Sequence, residues 1–228
     1  MIELWELRGE EDRRYSNFSW RTRMALRHKQ LEVEYRPILL TDKASIEFSG
    51  GKTVPVIRDG ATLVRDSWSI AEYLEKQYPD RPSLFGCDTG QALARLVNAW
   101  VDRTVLAAAF PAIACDAVAV QCEADRAYFG NLIERITGLA PAALKEQQPR
   151  NAERLSKAMD PARATLKRQA FLSGSAPAYA DYALFSIYQW GRITSALDLL
   201  ADDPVMKAWF ERLLDLNGGY ARATPVHH

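Results

Sequence analysis

Lys52 to Tyr78 reads KTVPVIRDGATLVRDSWSIAEYLEKQY. Val54-Pro55-Val56-Ile57 is a short apolar run with proline near its start. Proline has no N–H for a ladder, so Pro55 belongs at the start or edge of a strand. Asp59-Gly60 is a two-residue hairpin signal, and Thr62-Leu63-Val64 returns as the partner strand. Asp66-Ser67 then opens a helical pattern with apolar residues at Ile70, Ala71, Tyr73 and Leu74.

Each part of the stretch also has a use toward a ligand. A cis Val54-Pro55 bond would turn the N–H and C=O of Val54 outward to pair with an extended peptide. Ser67 at a helix start presents a hydroxyl and free N–H groups where the dipole favours a carboxylate. Asp66 beside it suits an ammonium. A small peptide carrying both charges and a backbone amide fits that surface. The alternative is a hairpin and a capped helix with no ligand.

The 228 residues suffice for one large domain or two small ones. Lys plus Arg and Asp plus Glu both number 29, so no basic excess argues for nucleic acid and no acidic tail for disorder. No apolar run reads as a membrane span, and residues 1–20 are too charged for a secretory signal. Cys87, Cys115 and Cys122 are odd in number and lack metal-like spacing, so a reducing cytoplasm with free thiols is expected. His227-His228 reads as a tag remnant without function.

From the N-terminus, Ile2-Glu3-Leu4-Trp5-Glu6-Leu7 alternates apolar and polar and predicts a first strand. Arg8–Arg14 (RGEEDRR) reads as a solvated loop. Tyr15–Trp20 leads into a helix with Trp20, Met24 and Ala25 or Leu26 on one stripe. Val33–Leu40 predicts a second strand, Thr41–Phe48 a short helix or loop, and Ser49-Gly50-Gly51 a turn. The order β-α-β-α-β-β-α makes residues 1–80 an α/β layer with a small mixed sheet. Tyr78–Gly86 (YPDRPSLFG) is the boundary. Residues 87–228 carry only helical patterns, over Gln91–Phe110, Glu123–Gly138, Ala152–Phe171, Ala178–Leu197 and Pro204–Leu216. Pro111 and Pro161 are expected to break or kink them. The fold class is therefore α/β followed by an all-α bundle.

Ser16 and Ser19 stand between the first strand and first helix. A hydroxyl there caps the helix, or, with the helix N-terminus, stabilises a ligand's thiolate. No cysteine lies between residues 1 and 86, so sulfur chemistry in this half must use an imported thiol. Histidine occurs only at His28 and the terminus, which disfavours a Ser-His-Asp hydrolase; His28 itself reads as a surface residue. No glycine-rich phosphate loop and no HExxH metal pattern is present.

Together these residues resemble the cytosolic glutathione S-transferases over essentially the full chain. Val54-Pro55 is similar to that family's Val-cis-Pro and Asp66-Ser67 to its acid-serine pair. Leu172-Ser173-Gly174 with Ala180-Asp181 resembles the helix-entry motif of its helical domain, with Ala178 where a Ser or Thr cap is usual. Ser16–Arg23 (SNFSWRTR) is similar to the serine-type signature of the zeta class. It is closer to the bacterial β-aryl-etherase-like group, whose first helix reads like WRTRMALRHKQL at Trp20–Leu31. Asn17-Phe18 stand where zeta isomerases carry Ser-Cys.

The resemblance implies an N-terminal thioredoxin-like domain, an all-helical C-terminal domain, glutathione as co-substrate, a hydrophobic electrophile and a homodimer. It assigns thiol activation to Ser16, with Ser19 as the nearby second hydroxyl. The cysteinyl backbone is expected at Val54 beside Pro55, the γ-glutamyl carboxylate at Ser67, its amine at Asp66, and the glycine carboxylate at Lys43 or Lys52. Asp181 is expected to reach back to the N-terminal backbone of its helix, a structural role. Trp100, Phe110, Tyr128 and Phe129 are candidates to line the electrophile pocket, and Arg21 and Arg23 face either solvent or the site. The same motifs leave two rivals, cleavage of lignin-type β-aryl ethers and a non-catalytic interaction or stress module of the same shape.

Overall fold

Four strands form one mixed sheet in the order β2-β1-β3-β4. β1 (Ile2–Leu7) lies parallel to β2 (Val33–Ile38) and antiparallel to β3 (Val56–Asp59). β3 turns at Gly60, φ 58°, into β4 (Thr62–Arg65), pairing Asp59 with Thr62 as the hairpin signal requires. β3 starts at Val56 rather than Val54, because Pro55 has no N–H to give the ladder. Pro37 is tolerated because β2 is an edge strand. The chain is described here by a computed structural model over residues 1–226. The terminal histidine pair lies outside the described residues.

The central strand buries side chains on both faces. Leu4 and Ile57 join Trp20, Met24 and Leu26 of α1 (Asn17–His28) and Ile70 and Leu74 of α2 (Ser67–Gln77) in the main core. On the opposite face Trp5, Ile38 and Val56 close over Ile46 of the 3-10 segment Ala44–Ser49. Burying each such side chain contributes about 1.5–3 kcal/mol.

The second half is helical. α3 (Asp88–Trp100) runs through a π turn, Val101–Val105, into α4 (Leu106–Ala117). Pro111 neither ends nor breaks α4; it sits inside it. The continuous helix Asp88–Ala117 is long and apolar enough to cross a membrane by length and composition, which the sequence reading missed. It packs as a core helix, with Ala94, Val101, Val105, Ala109, Ala112 and Ile113 buried in the main core. α5 (Glu123–Thr137), α6 (Pro141–Glu146), α7 (Gln148–Ala158), α8 (Asp160–Leu166), α9 (Tyr179–Thr194) and α10 (Pro204–Leu214) follow. The single helix expected over Ala152–Phe171 is divided into α7 and α8. Pro161 lies in the first turn of α8, where a missing N–H is no loss.

Three charged features differ from expectation. The Arg8–Arg14 loop is not simply solvated: Glu10 N–H donates to Val120 O at 2.9 Å, and the Glu10 carboxylate pairs with Arg126 at 2.6 Å. Arg21 and Arg23 face neither solvent nor the cavity described below. Arg23 is bound by Glu6, itself fully buried, through Nε at 2.6 Å, while Arg21 is bound by Asp102 at 2.7 Å. His28 is half-buried and not free on the surface. Its ring bridges Tyr182 O–H at 2.6 Å and Ser83 O at 2.9 Å, so Nε2 carries the proton and Nδ1 accepts.

The start of α9 is organised by Asp181, which is fully buried. Its carboxylate accepts from Leu172 N at 2.7 Å, Ser173 N at 3.1 Å, Ala178 N at 3.2 Å and Trp209 Nε1 at 2.9 Å. Ala178 offers no oxygen in return, so only the half of the capping box that Asp181 supplies exists.

Asp181→Ala removes the acceptor of four donors, the buried Trp209 Nε1 among them, and is expected to lower unfolding free energy by about 3 kcal/mol or more, read from urea denaturation. His28 supplies a pH dependence. Burial lowers its pKa from 6.5, against a smaller opposing effect of the Ser83 carbonyl. The unfolded chain therefore takes the proton first as pH falls, and stability present above about pH 6.5 is lost below it. His28→Gln is expected to show a smaller loss of stability between pH 7.5 and 5 than the wild type.

Candidate functional site

The two halves enclose a cavity of about 570 Å³. One wall comes from the α/β half and contains Tyr15, Ser16, Asn17, Phe18, Lys43, Thr53, Val54, Pro55, Asp66 and Ser67. The other comes from the helical half and is wholly apolar: Leu106, Phe110, Phe129, Leu132, Ile136 and Trp190.

Ser16 is the N-cap of α1, its Oγ accepting from Ser19 N–H at 3.3 Å. Because the hydroxyl accepts in that bond, its own proton remains available to a group in the cavity. Ser19 is buried off the cavity wall, and its hydroxyl has no partner among the described residues. Capping and ligand donation, separate readings in the sequence, are thus compatible at Ser16 and absent at Ser19.

Val54-Pro55 is a cis bond. Neither the N–H nor the C=O of Val54 makes a hydrogen bond among the described residues, so both are free on the cavity wall. Next to them, Asp66 rather than Ser67 is the N-cap of α2. Its Oδ1 accepts from Trp68 N and Ser69 N, both at 3.0 Å. Asp66 has φ 72° and ψ 132°, a sparsely populated conformation that costs about 1–3 kcal/mol and is found preferentially at functional sites. Ser67, one residue into the helix, is buried against the cavity, at the positive end of the α2 dipole.

Lys43 lines the cavity, and with Lys52 also lines an adjoining depression bounded by Glu47, Gly50 and Gly51. Burial lowers the Lys43 pKa, opposed by the charges of Asp125 and Asp42. Phe110 and Phe129 line the apolar wall as expected from the sequence. Trp100 does not; it is half-buried against the helical core. Tyr128 is 43% exposed outside the lining, with the Lys43 ammonium 5.9 Å from its ring centroid. Adjacent residues on α5 point about 100° apart, so Phe129 and Tyr128 cannot share the cavity. Trp190, Leu106, Leu132 and Ile136 were missed. Their positions on helical apolar stripes gave no signal separating cavity wall from core.

The rim is fixed by Asp125, a fully buried carboxylate in the first turn of α5. It accepts from Leu40 N at 2.8 Å, Thr41 N at 2.9 Å and Thr41 Oγ1 at 2.7 Å, tying the helical half to the segment that carries Leu40 and Lys43. Asp125→Ala is expected to cost about 3 kcal/mol. Amide exchange at Leu40 and Thr41 should accelerate more than exchange in β1, and unchanged protection there would show that the rim is held by other contacts.

The N-terminal glutathione S-transferase domain family matches residues 12–82, and the C-terminal domain family of the same name matches residues 92–214. A maleylacetoacetate isomerase from Dictyostelium discoideum is 34% identical over 87 residues, 35% of this chain and 40% of that protein. A zeta-class glutathione S-transferase from Euphorbia esula is 38% identical over 74 residues, 30% of this chain and 33% of that protein. The aligned part therefore spans well under half of these curated relatives. Among solved structures, a glutathione transferase from Phanerochaete chrysosporium has a TM-score of 0.76 at 23% identity, covering 97% of this chain and 93% of that one. A glutathione S-transferase from Ceriporiopsis subvermispora, in complex with glutathione, has a TM-score of 0.80 at 20% identity, covering 94% and 96%. These likenesses establish the fold, a thioredoxin-like domain followed by an all-helical one. With both domain families matched in order along it, the chain belongs to the glutathione S-transferase family.

Proposed function

We propose that this chain is a glutathione S-transferase that holds glutathione along the polar wall and a hydrophobic electrophile against the apolar one. The observation that carries the reading is the juxtaposition, in one cavity, of a free-donor serine at a helix N-terminus, an unpaired backbone at Val54 and the α2 N-terminus at Ser67. Val54 pairs with the cysteinyl backbone, as a strand edge pairs with a peptide. Ser67 and the α2 N–H groups take the γ-glutamyl carboxylate, and the free Oδ2 of Asp66 its ammonium. The depression at Lys43 and Lys52 receives the glycine carboxylate. Ser16 then donates to the sulfur, which attacks an electrophilic carbon and displaces a leaving group or adds to a double bond.

Ser16 acts by favouring the anion. A hydrogen bond to a charged acceptor contributes roughly 1.5–3 kcal/mol, which lowers a thiol pKa by one to two units. The non-catalytic module is disfavoured because it has no use for a free Ser16 proton or an unpaired Val54. The aromatic rings of Phe18, Phe110, Phe129 and Trp190 on the lining favour a narrower reading, cleavage of β-aryl ethers of lignin type, over an aliphatic substrate. They also suit a neutral ring better than the dicarboxylate for which the Dictyostelium relative is named. Release of a phenol from a β-aryl ether separates this reading from general transfer. The exposed Leu93 and Leu96 on α3 support a homodimer formed through that helix. The three unpaired cysteines suit the cytoplasm.

Ser16→Ala is expected to lower kcat with a chlorinated dinitrobenzene about 10- to 100-fold while glutathione affinity stays within about twofold. Ser19→Ala is expected to keep turnover near wild type. Equal rates for wild type and Ser16→Ala would remove Ser16 from the mechanism.

A further inference from the structure

Tyr15 immediately precedes Ser16, and its side chain is anchored in the other domain. Its O–H donates to Oε1 of Gln121 at 2.6 Å. Gln121 is fully buried and fixed in turn, its Nε2 donating to Ala117 O at 2.8 Å. Arg126 Nε donates to Gln121 O at 3.2 Å. The neighbouring Val120 carbonyl accepts Glu10 N–H, and a Cβ at Gly9 would fall 2.2 Å from the same oxygen. The connection from β1 to α1 is therefore clamped onto the Val120–Cys122 segment between α4 and α5.

Within its own domain Ser16 is held more loosely. Its cap bond to Ser19 N is long, at 3.3 Å, and a single χ1 rotation moves the hydroxyl. The adjoining backbone is pinned by Trp20 Nε1 donating to Arg14 O at 2.6 Å on one side and by the Tyr15–Gln121 bond on the other. Burial and the Asp125 charge raise the Tyr15 pKa, so the phenol stays a neutral donor.

We propose that Gln121, a residue of the helical domain outside the cavity lining, is a positioning residue for Ser16, acting through Tyr15. This rests on the reading that Ser16 serves the thiolate. Displacements of about 1 Å at a reacting group can cost up to two orders of magnitude in rate, which gives such a tie a kinetic role.

The test compares Tyr15→Phe, Gln121→Met and the double variant with Ser16→Ala in the full chain. Each single change is expected to lower kcat roughly three- to tenfold, with KM for glutathione within about twofold. Ultraviolet titration of bound glutathione should show its thiol pKa moved upward, and Ser19 amide exchange should quicken. The double variant should be no worse than either single, because one bond has two ends. Tyr15→Phe, which keeps the ring, serves where Gln121→Met folds poorly. Unchanged thiol pKa and unchanged Ser19 exchange in both singles would overturn the proposal, leaving Gln121 as domain packing. Faster Ser19 exchange with no effect of Ser16→Ala on turnover would uphold the tie and instead defeat the thiolate reading.

Discussion

The ion pair between Arg21 and Asp102 joins the two halves of this protein at a point where neither can yield. Arg21 has no solvent exposure, so its charge has to be met inside the fold. Asp102 meets it at 2.7 Å, with Asn98 Oδ1 at 3.1 Å and Ser186 Oγ at 3.2 Å adding neutral acceptors. Removing one member of such a pair leaves a buried charge uncompensated, at about 3–5 kcal/mol. Two residues along α1, Arg23 is neutralised by Glu6 of β1 on the other side. α1 is thereby fastened to the sheet and to the helical bundle at once. Ser16 is the N-cap of the helix so fastened.

Asp102 lies in the π turn between α3 and α4. A widened turn inserts one residue and changes which side chains of the following helix face a given direction. Here Asp102 looks to Arg21 while Leu106 and Phe110, a turn or two later, look into the cavity. The cavity divides by origin. Its polar residues, Ser16, Lys43, Val54 through its backbone, Asp66 and Ser67 among them, come from the α/β half, whereas the wall from the helical half is apolar side chains on helices. A ligand with a constant polar portion and a variable apolar one suits such a division, since helix side chains can change without disturbing the strand edge.

The same division explains what could be read from the sequence. Val54-Pro55, the Asp59-Gly60 turn, the Asp66-Ser67 helix start and Ser16 are local devices, each specified by neighbours within a few residues. Phe129 and Tyr128 illustrate the limit. Both are aromatic on α5, and only the packing of α5 against Thr41 and Leu40 through Asp125 decides which one turns to the cavity. Gln121 and Trp190 carried no local signal at all. Arg21 is similar: from its neighbours alone it faces either solvent or the site, and only its partner far along the chain shows that it faces neither. Pro111 shows a tertiary override, since burial of α4 on both sides outweighs one missing bond.

The chemistry follows from what titrates inside the cavity. Among the described lining residues these are Tyr15, Lys43 and Asp66. Tyr15 is kept protonated by burial and has committed its proton to Gln121. Asp66 has given Oδ1 to two amides of α2 and stands beside Ser67, not Ser16. Lys43 is a cation at the rim. None of these is placed to abstract a proton at Ser16, and a serine hydroxyl is itself too weak an acid to be a base there. In the function proposed here a glutathione thiol would therefore ionise to solvent, and the protein's contribution would be to make the anion the favoured form. That contribution is a hydrogen bond plus a helix terminus, and both depend on geometry more than on charge. A site working in this way is only as good as the fixation of its one donor, so on that proposal the buried contacts of α1 and of the residue before Ser16 would bear on catalysis as well as on stability.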